Sequence, residues 1–274
     1  MFENRFFLPN AALRPYVWRF WSTQIFPGAA STITHDVLPS PLTDLVLQFP
    51  GPGPRREADL AQASFRLRIM GAETRIRHHV LRPGDAAVGV SFRPGRAAFL
   101  LGPPAAEFTD KRVLLEDVWG RTAAELESRL REASSTSQAV AILQAGLENR
   151  LRARADDAAL EGSFWDHLFR LRGQFRVEEA AAWSGKSPRQ LHRFFLSRVG
   201  VGPKQFSRML RFREALEMLR ANRRPDWFQV LGETGYSDRP HLSREFQDFA
   251  AATPAQLLAR LEDPRISSMS LFSR

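Results

Sequence analysis

Two short stretches hold the side chains best suited to chemistry with a partner. The first is Ser187-Pro188-Arg189-Gln190-Leu191-His192-Arg193-Phe194-Phe195. The second, offset by 51 residues, is Asp238-Arg239-Pro240-His241-Leu242-Ser243-Arg244-Glu245-Phe246. At helical spacing, Leu191, Phe194 and Phe195 share one face, and Arg189, His192 and Arg193 fall on or near the opposite one. In the second stretch Leu242 and Phe246 point inward while Arg239, Ser243 and Arg244 point outward. An outward guanidinium can donate two hydrogen bonds to guanine O6 and N7, a contact worth about 1–3 kcal/mol of discrimination between bases. Lys186, Ser187, Lys204, Arg208, Arg211 and His241, with the nearby helix N-termini, are candidates to hold phosphates, which position a protein without reading sequence.

These side chains need a scaffold, and an internal repeat supplies one. Both copies read [Ser/Asp]-x3-Leu-x-Arg-x-Phe-x7-Pro, ending at Pro203 and Pro254. A small apolar helix and a glycine precede each: Val177 to Trp183 with Gly185, and Trp227 to Leu231 with Gly235. Ala180 and Ala181 allow close helix packing, and the glycine tolerates the positive φ of a tight turn. Ser187 then caps the next helix, with Pro188 at its first position and Gln190 completing a capping box. Asp238 is the equivalent cap, with Pro240 tolerated in the first turn. This is the logic of two helix-turn-helix units. A helical repeat serving protein contacts would need no outward arginine in both copies.

Charge agrees. The net charge is +9. From Ser163 to Arg260 there are about seventeen Lys+Arg against about ten Asp+Glu, so most of the excess sits in the C-terminal third, as a nucleic-acid footprint should. The chain has no cysteine, which removes disulfides, thiolate-ligated metals and thiol catalysis, including alkyl transfer to a cysteine acceptor. The six histidines show no HExxH spacing, so no cofactor is expected. No apolar run approaches the roughly 18 residues of a membrane span, and the N-terminus lacks the order of a secretion signal. A cytoplasmic, nucleoid-associated protein is the expectation.

Residues 176–258 resemble the DNA-binding domain of AraC/XylS-type bacterial transcription regulators. The likeness is carried by the two stretches above, with Gly200-Val201-Gly202-Pro203, Gly235-Tyr236-Ser237 and Thr253-Pro254 in matching order and spacing. It implies seven helices, with two helix-turn-helix units joined by a long helix, here about Pro203 to Arg220. It implies base contacts at Arg189, His192, Arg193, Arg239, Pro240 and Arg244, and RNA polymerase as a partner. Two units on a rigid helix would enter successive major grooves of double-stranded DNA about 34 Å apart. Pro240 has no side-chain donor, so the first unit should carry more sequence information. Leu231 stands where the family favours alanine and Ala252 near a usual glycine, which bears on helix spacing and the turn.

The sequence predicts an α+β, two-domain chain. Residues 1–120 read as a mainly-β sensory or dimerisation domain, a small barrel with cupin-like Pro-Gly-Asp turns. Leu45 to Phe49 reads as a strand ending at Pro50-Gly51-Pro52-Gly53-Pro54. Phe65, Leu67 and Ile69 alternate with Arg66 and Arg68, Ile76, His78 and Val80 alternate again, and Val88 to Phe92 follows. Pro39 to Gln48, Val90 to Gly95 and Leu115 to Gly120 are similar to an uncharacterised domain fused to such regulators. Residues 121–162 form a helical linker, with Thr122 and Glu125 as a capping box. Its stripe Val140, Leu143, Leu147 and Leu151 suits either a homodimer or packing on its own β domain. Arg152 to Gly162 reads as a hinge, 163–262 as the helix-turn-helix domain and 263–274 as a disordered tail. Trp18, Phe20 and Trp21 either line a small-molecule effector pocket or belong to the core. His78 and His79 adjoin in a strand and face opposite sides, and His35 with Asp36 is no better as a metal site. A metal-dependent cupin-type enzyme with a DNA-targeting module is the alternative.

Overall fold

The computed structural model of the chain describes residues 2–26, 32–51, 65–153, 158–221, 226–263 and 266–267. Its N-terminal half contains β1 (Phe2–Phe7), β2 (Val17–Ile25), β3 (Ile33–Val37), β4 (Asp44–Phe49), β5 (Leu67–Met70), β6 (Arg77–Leu81) and β7 (Ala86–Phe92). Helix α1 (Ala97–Leu101), a 3-10 turn at Ala105–Glu107, β8 (Arg112–Leu114) and α2 (Glu116–Trp119) follow. Six strands form one sheet in the order β1-β2-β7-β4-β5-β8, antiparallel throughout. A second sheet pairs β3 antiparallel with β6 and parallel with β9 (Ile266–Ser267).

Period-two alternation gives the large sheet two different faces. Phe20, Leu45, Leu47, Leu67, Ile69, Val88, Val90 and Phe92 form a core with helices α3 (Arg121–Arg131) and α4 (Thr136–Arg152). The alternate residues Arg19, Trp21, Asp44, Val46, Arg68 and Ser91 face a cavity bounded on its other side by the small sheet. The stripe Val140, Leu143 and Leu147 is therefore buried against its own β domain, beside Leu126 and Leu130. The Glu127 carboxylate adds a hydrogen bond from the Leu67 backbone N–H at 2.8 Å, pinning α3 to β5.

Four local expectations need correction. Gly120, at φ 54°, takes the N-cap of α3 instead of Thr122, because α2 ends immediately before it and the chain must reverse. In β6 the inward residues are His79 and Leu81, while His78 and Val80 are exposed, because the interior there is a polar cavity and not an apolar core. Ala158 to Gly162, expected in a hinge, begins α5 (Ala158–Arg170). Ile266–Ser267, expected in a disordered tail, pairs with β3. The Pro52-Gly53-Pro54 turn, residues 154–157, and 264–265 and 268–274 lie outside the described residues.

The C-terminal half continues with α6 (Val177–Ser184), α7 (Pro188–Arg198), α8 (Pro203–Ala221), α9 (Trp227–Thr234), α10 (Arg239–Ala250) and α11 (Pro254–Leu261). Among the described residues these make seven helices with α5, as the resemblance implied. Their core centres on Trp165, which is fully buried, stacks on Phe194 at 5.2 Å and meets Phe195 edge-on at 4.8 Å. Leu38, Leu42 and Ala72 of the β half belong to this same core. Backbone bonds also cross between the halves: the Ile76 N–H donates to the Phe249 carbonyl at 2.9 Å.

Candidate nucleic-acid interface

Each helix-turn-helix unit is built from its caps outward. Gly185 at φ 63° and Gly235 at φ 71° end α6 and α9 in the left-handed region, which a residue without Cβ adopts at little cost. The Ser187 hydroxyl then accepts from the Gln190 N–H at 3.3 Å, and the Gln190 side chain accepts from the Ser187 N–H at 2.9 Å. Asp238 accepts from the His241 N–H at 2.6 Å, which holds its carboxyl below the usual range. Leu191, Phe195, Leu242 and Phe246 are fully buried, which fixes the rotation of α7 and α10 about their axes.

That rotation leaves Arg189, His192 and Arg193 of α7 exposed on one side, and Arg239, Pro240 and Arg244 exposed on α10. The candidates are not equally free. The Arg239 guanidinium lies over the Trp227 ring at 4.2 Å, so the first helix of its own unit braces it. The His192 ring packs beside Gly202, where a Cβ would come within 2.9 Å of Nε2.

The phosphate candidates divide more sharply. Lys204 and Ser187 are exposed. Lys186 Nζ sits over the Phe194 ring at 4.8 Å, and the Arg211 guanidinium over the Tyr236 ring at 5.6 Å. His241 Nδ1 is 3.1 Å from the Ser237 hydroxyl. Arg208 is held by two carboxylates, Glu245 at 2.8 Å and Asp248 at 2.9 Å. It therefore fastens α8 to α10, a role invisible in the spacing because its partners lie about 40 residues away.

The long helix α8 runs from Pro203 to Ala221 and joins the units. Its middle is buried nearly all round, Arg213 and Glu214 included. Leu231 is half-buried against the core, so a side chain larger than alanine is accommodated. The left-handed residue after α10 is Ala251 at φ 51°, one position before Ala252.

The aromatic trio separates. Phe20 is in the sheet–helix core, Trp18 meets Phe169 edge-on at 5.2 Å between the halves, and only Trp21 lines the cavity. Gly89, its cross-strand partner, makes room: a Cβ there would lie 2.4 Å from Trp21 Cζ2. The cavity residues that spacing did not single out are Arg19, Arg68, Arg112 and Arg213. A signal existed, since Arg19 and Arg68 each stand between apolar residues in a strand, and both faces of that sheet are covered. His35 and His79 oppose each other across β3 and β6 and both line the cavity. Burial pushes them down to about 4 and about 3, so both are neutral at pH 7. Among the described residues there is no cluster of three or more His, Cys, Asp or Glu able to hold a metal. Nor is any described helix long and apolar enough to cross a membrane.

Residues 180–260 match the model of a helix-turn-helix domain, HTH_18, and residues 5–114 match a domain of unknown function, DUF6597. No curated protein matches the sequence. Among solved structures the chain is similar to ToxT from Vibrio cholerae, at 12% identity over 95% of this chain and 99% of that one, with a TM-score of 0.41. ToxT from strain O395 is 10% identical over 96% and 98%, with a TM-score of 0.43. The same protein bound to (E)-4-(8-methylnaphthalen-1-yl)but-3-enoic acid is 10% identical over 95% and 99%, with a TM-score of 0.45. The C-terminal part of the chain thus carries an AraC-type helix-turn-helix domain, as DNA-binding transcription regulators do, behind a DUF6597 domain.

Proposed function

We propose that this regulator binds specific operator sequences by placing α7 and α10 in successive major grooves, and that a small molecule in the β-half cavity modulates it. The observation that carries the DNA reading is the paired geometry of the two units. Each has a capped second helix, a buried Leu/Phe face and an exposed arginine face. Arg189, His192 and Arg193 read bases in one groove, and Arg239 and Arg244 in the next, with Pro240 reading shape alone. Lys186, Ser187, Lys204, Arg211 and His241 hold phosphates. Support for the small-molecule part is that Arg213 of α8 lines the cavity, so an occupant touches the helix that spaces the two units.

The test is selection of bound sequences from random duplexes, followed by titration with Arg193→Ala and Arg244→Ala. Each substitution is expected to weaken specific binding by about 1–3 kcal/mol and relax one position of the motif. Affinity should fall steeply with salt, because phosphate contacts release counterions. Retained affinity in the double variant would overturn the assignment of α7 and α10.

A further inference from the structure

We propose that Thr109, Asp110 and Thr74 of the β half form a strut between the ends of α7 and α10, and are positioning residues for the half-site spacing of the operator. This rests on the reading that α7 and α10 enter successive major grooves, and adds what holds them at one separation.

The strut is a continuous run of short bonds. At one end the Thr109 hydroxyl donates to the Gly200 carbonyl, just past α7, at 2.7 Å. The next residue, Asp110, turns the chain at φ 56°, a left-handed conformation that aspartate adopts more readily than most residues. Its backbone N–H donates to the Ala72 carbonyl at 3.0 Å. Its carboxylate accepts from the Thr74 backbone N–H at 2.8 Å and from the Thr74 hydroxyl at 2.6 Å. Two residues further on, the Ile76 N–H donates to the carbonyl of Phe249, in the last turn of α10, at 2.9 Å. The C-terminal ends of α7 and α10 are thus tied through the β half, by a path that does not pass through α8.

The joints are made at backbone distance. A Cβ on Gly71 would overlap the Phe108 carbonyl, and one on Gly200 would lie 2.9 Å from the Ala105 carbonyl oxygen. Arg77 donates a further bond to the Asp110 carbonyl. Paired backbone bonds between Ser40 and Glu73, at 2.9 and 3.0 Å, hold residues 71–76 from their other side.

Helix α8 holds α10 in a different way. That link is made of side chains: Arg208 with Glu245 and Asp248, and Phe212 with Phe246 at 4.8 Å and Phe249 at 5.1 Å. A long side chain can change rotamer and follow a partner that shifts. A backbone hydrogen bond cannot, and is gone by about 3.6 Å. One base pair changes the separation of two half-sites by about 3.4 Å and turns one against the other by about 35°. A site one base pair longer or shorter therefore costs an end bond of the strut, a deformed duplex or the base contacts of one unit.

The test is titration of the full chain against the selected duplex, and against duplexes with one base pair added or removed between its half-sites. The parent chain is expected to bind the shifted duplexes at least about ten-fold more weakly. Thr109→Val opens one end of the strut, and Asp110→Ala its middle. Each is expected to keep affinity for the selected duplex within about three-fold, and to cut the penalty for a shift to about three-fold or less. Arg260→Ala breaks a bond between the halves that lies outside the strut, and should keep the parent's penalty. Thr74→Val, which removes one hydroxyl donor, replaces Asp110→Ala if that variant does not fold. An undiminished penalty in the strut variants would overturn the strut and leave the two-groove reading standing. So would an equal relaxation in Arg260→Ala, or a parent chain indifferent to spacing. A parent chain that selects a single half-site would overturn both.

Discussion

The Thr109 hydroxyl, in the β half, donates a 2.7 Å hydrogen bond to the carbonyl of Gly200, which follows the Val199 C-cap of the helix carrying Arg189 and Arg193. Gly200 sits at φ 91°, and a Cβ there would lie 2.4 Å from Thr109 Oγ1 and 2.9 Å from the Ala105 carbonyl oxygen. The end of α7 is thereby seated on the N-terminal half at backbone contact. Gly200→Ala combines a left-handed φ with this overlap and is expected to cost about 2–4 kcal/mol. Thr109→Val removes one bond and should cost about 1 kcal/mol. Denaturant unfolding of both variants measures the difference.

Arg260 of α11 and Asp36 of β3 form a further long-range lock, at 2.7 Å. The Asp36 side chain is fully buried, and that of Arg260 is about one-third exposed. Arg260→Ala takes the guanidinium away from a buried carboxylate that His78 also contacts. The expected loss, about 2 kcal/mol, lies between an exposed pair and a fully buried one. Because the lock joins the halves, limited proteolysis of Arg260→Ala should cut between them faster than in the parent chain. Unchanged cleavage would show that the halves do not depend on this pair.

Ala251 closes α10 at φ 51°, where an L-residue is strained by roughly 1–2 kcal/mol. Glycine relieves that strain and loses about 0.5–1 kcal/mol to the entropy of the unfolded chain. Ala251→Gly is therefore expected to stabilise the protein by about 0.5–1 kcal/mol, read as a rise of a few degrees in Tm, with DNA affinity unchanged.

Acid should destabilise the fold before general carboxylate protonation sets in. His35 and His79 are pushed down to about 4 and about 3, mainly by burial. Below the ordinary 6.5, the unfolded chain takes up protons that the folded imidazoles refuse, so stability is lost as pH falls from 6.5 towards 4. Asp44, raised to about 6, acts in the opposite sense between 6 and its ordinary 3.8. Glu73, which burial also raises but less far, acts in the same sense as Asp44, and the two large imidazole shifts outweigh both, so urea midpoints should drop from pH 7 to pH 5. His35→Gln should flatten that slope, and an unaltered slope would locate the acid sensitivity elsewhere.

The helix-turn-helix units were legible because their determinants are local. A cap and its acceptor are three residues apart, a turn glycine acts on its own φ, and a 3.6-residue period names the buried face. Ser187, Gln190, Gly185, Leu191 and Phe195 all act over these distances, so sequence alone determined two capped helices with arginines on the outside. The strands of the large sheet were legible for the same reason. What only the tertiary structure decided depends on which element lies across the other face. Arg68 reads as an outward residue until the second sheet closes over it, and Arg208 as a phosphate contact until α10 brings Glu245 and Asp248 beside it. Arg213 is one more charge on a helix until that helix is packed against a β cavity. Alternation states that a side chain points to one of two sides. Whether that side holds water, a core or a binding cavity is set by chain segments far away in sequence.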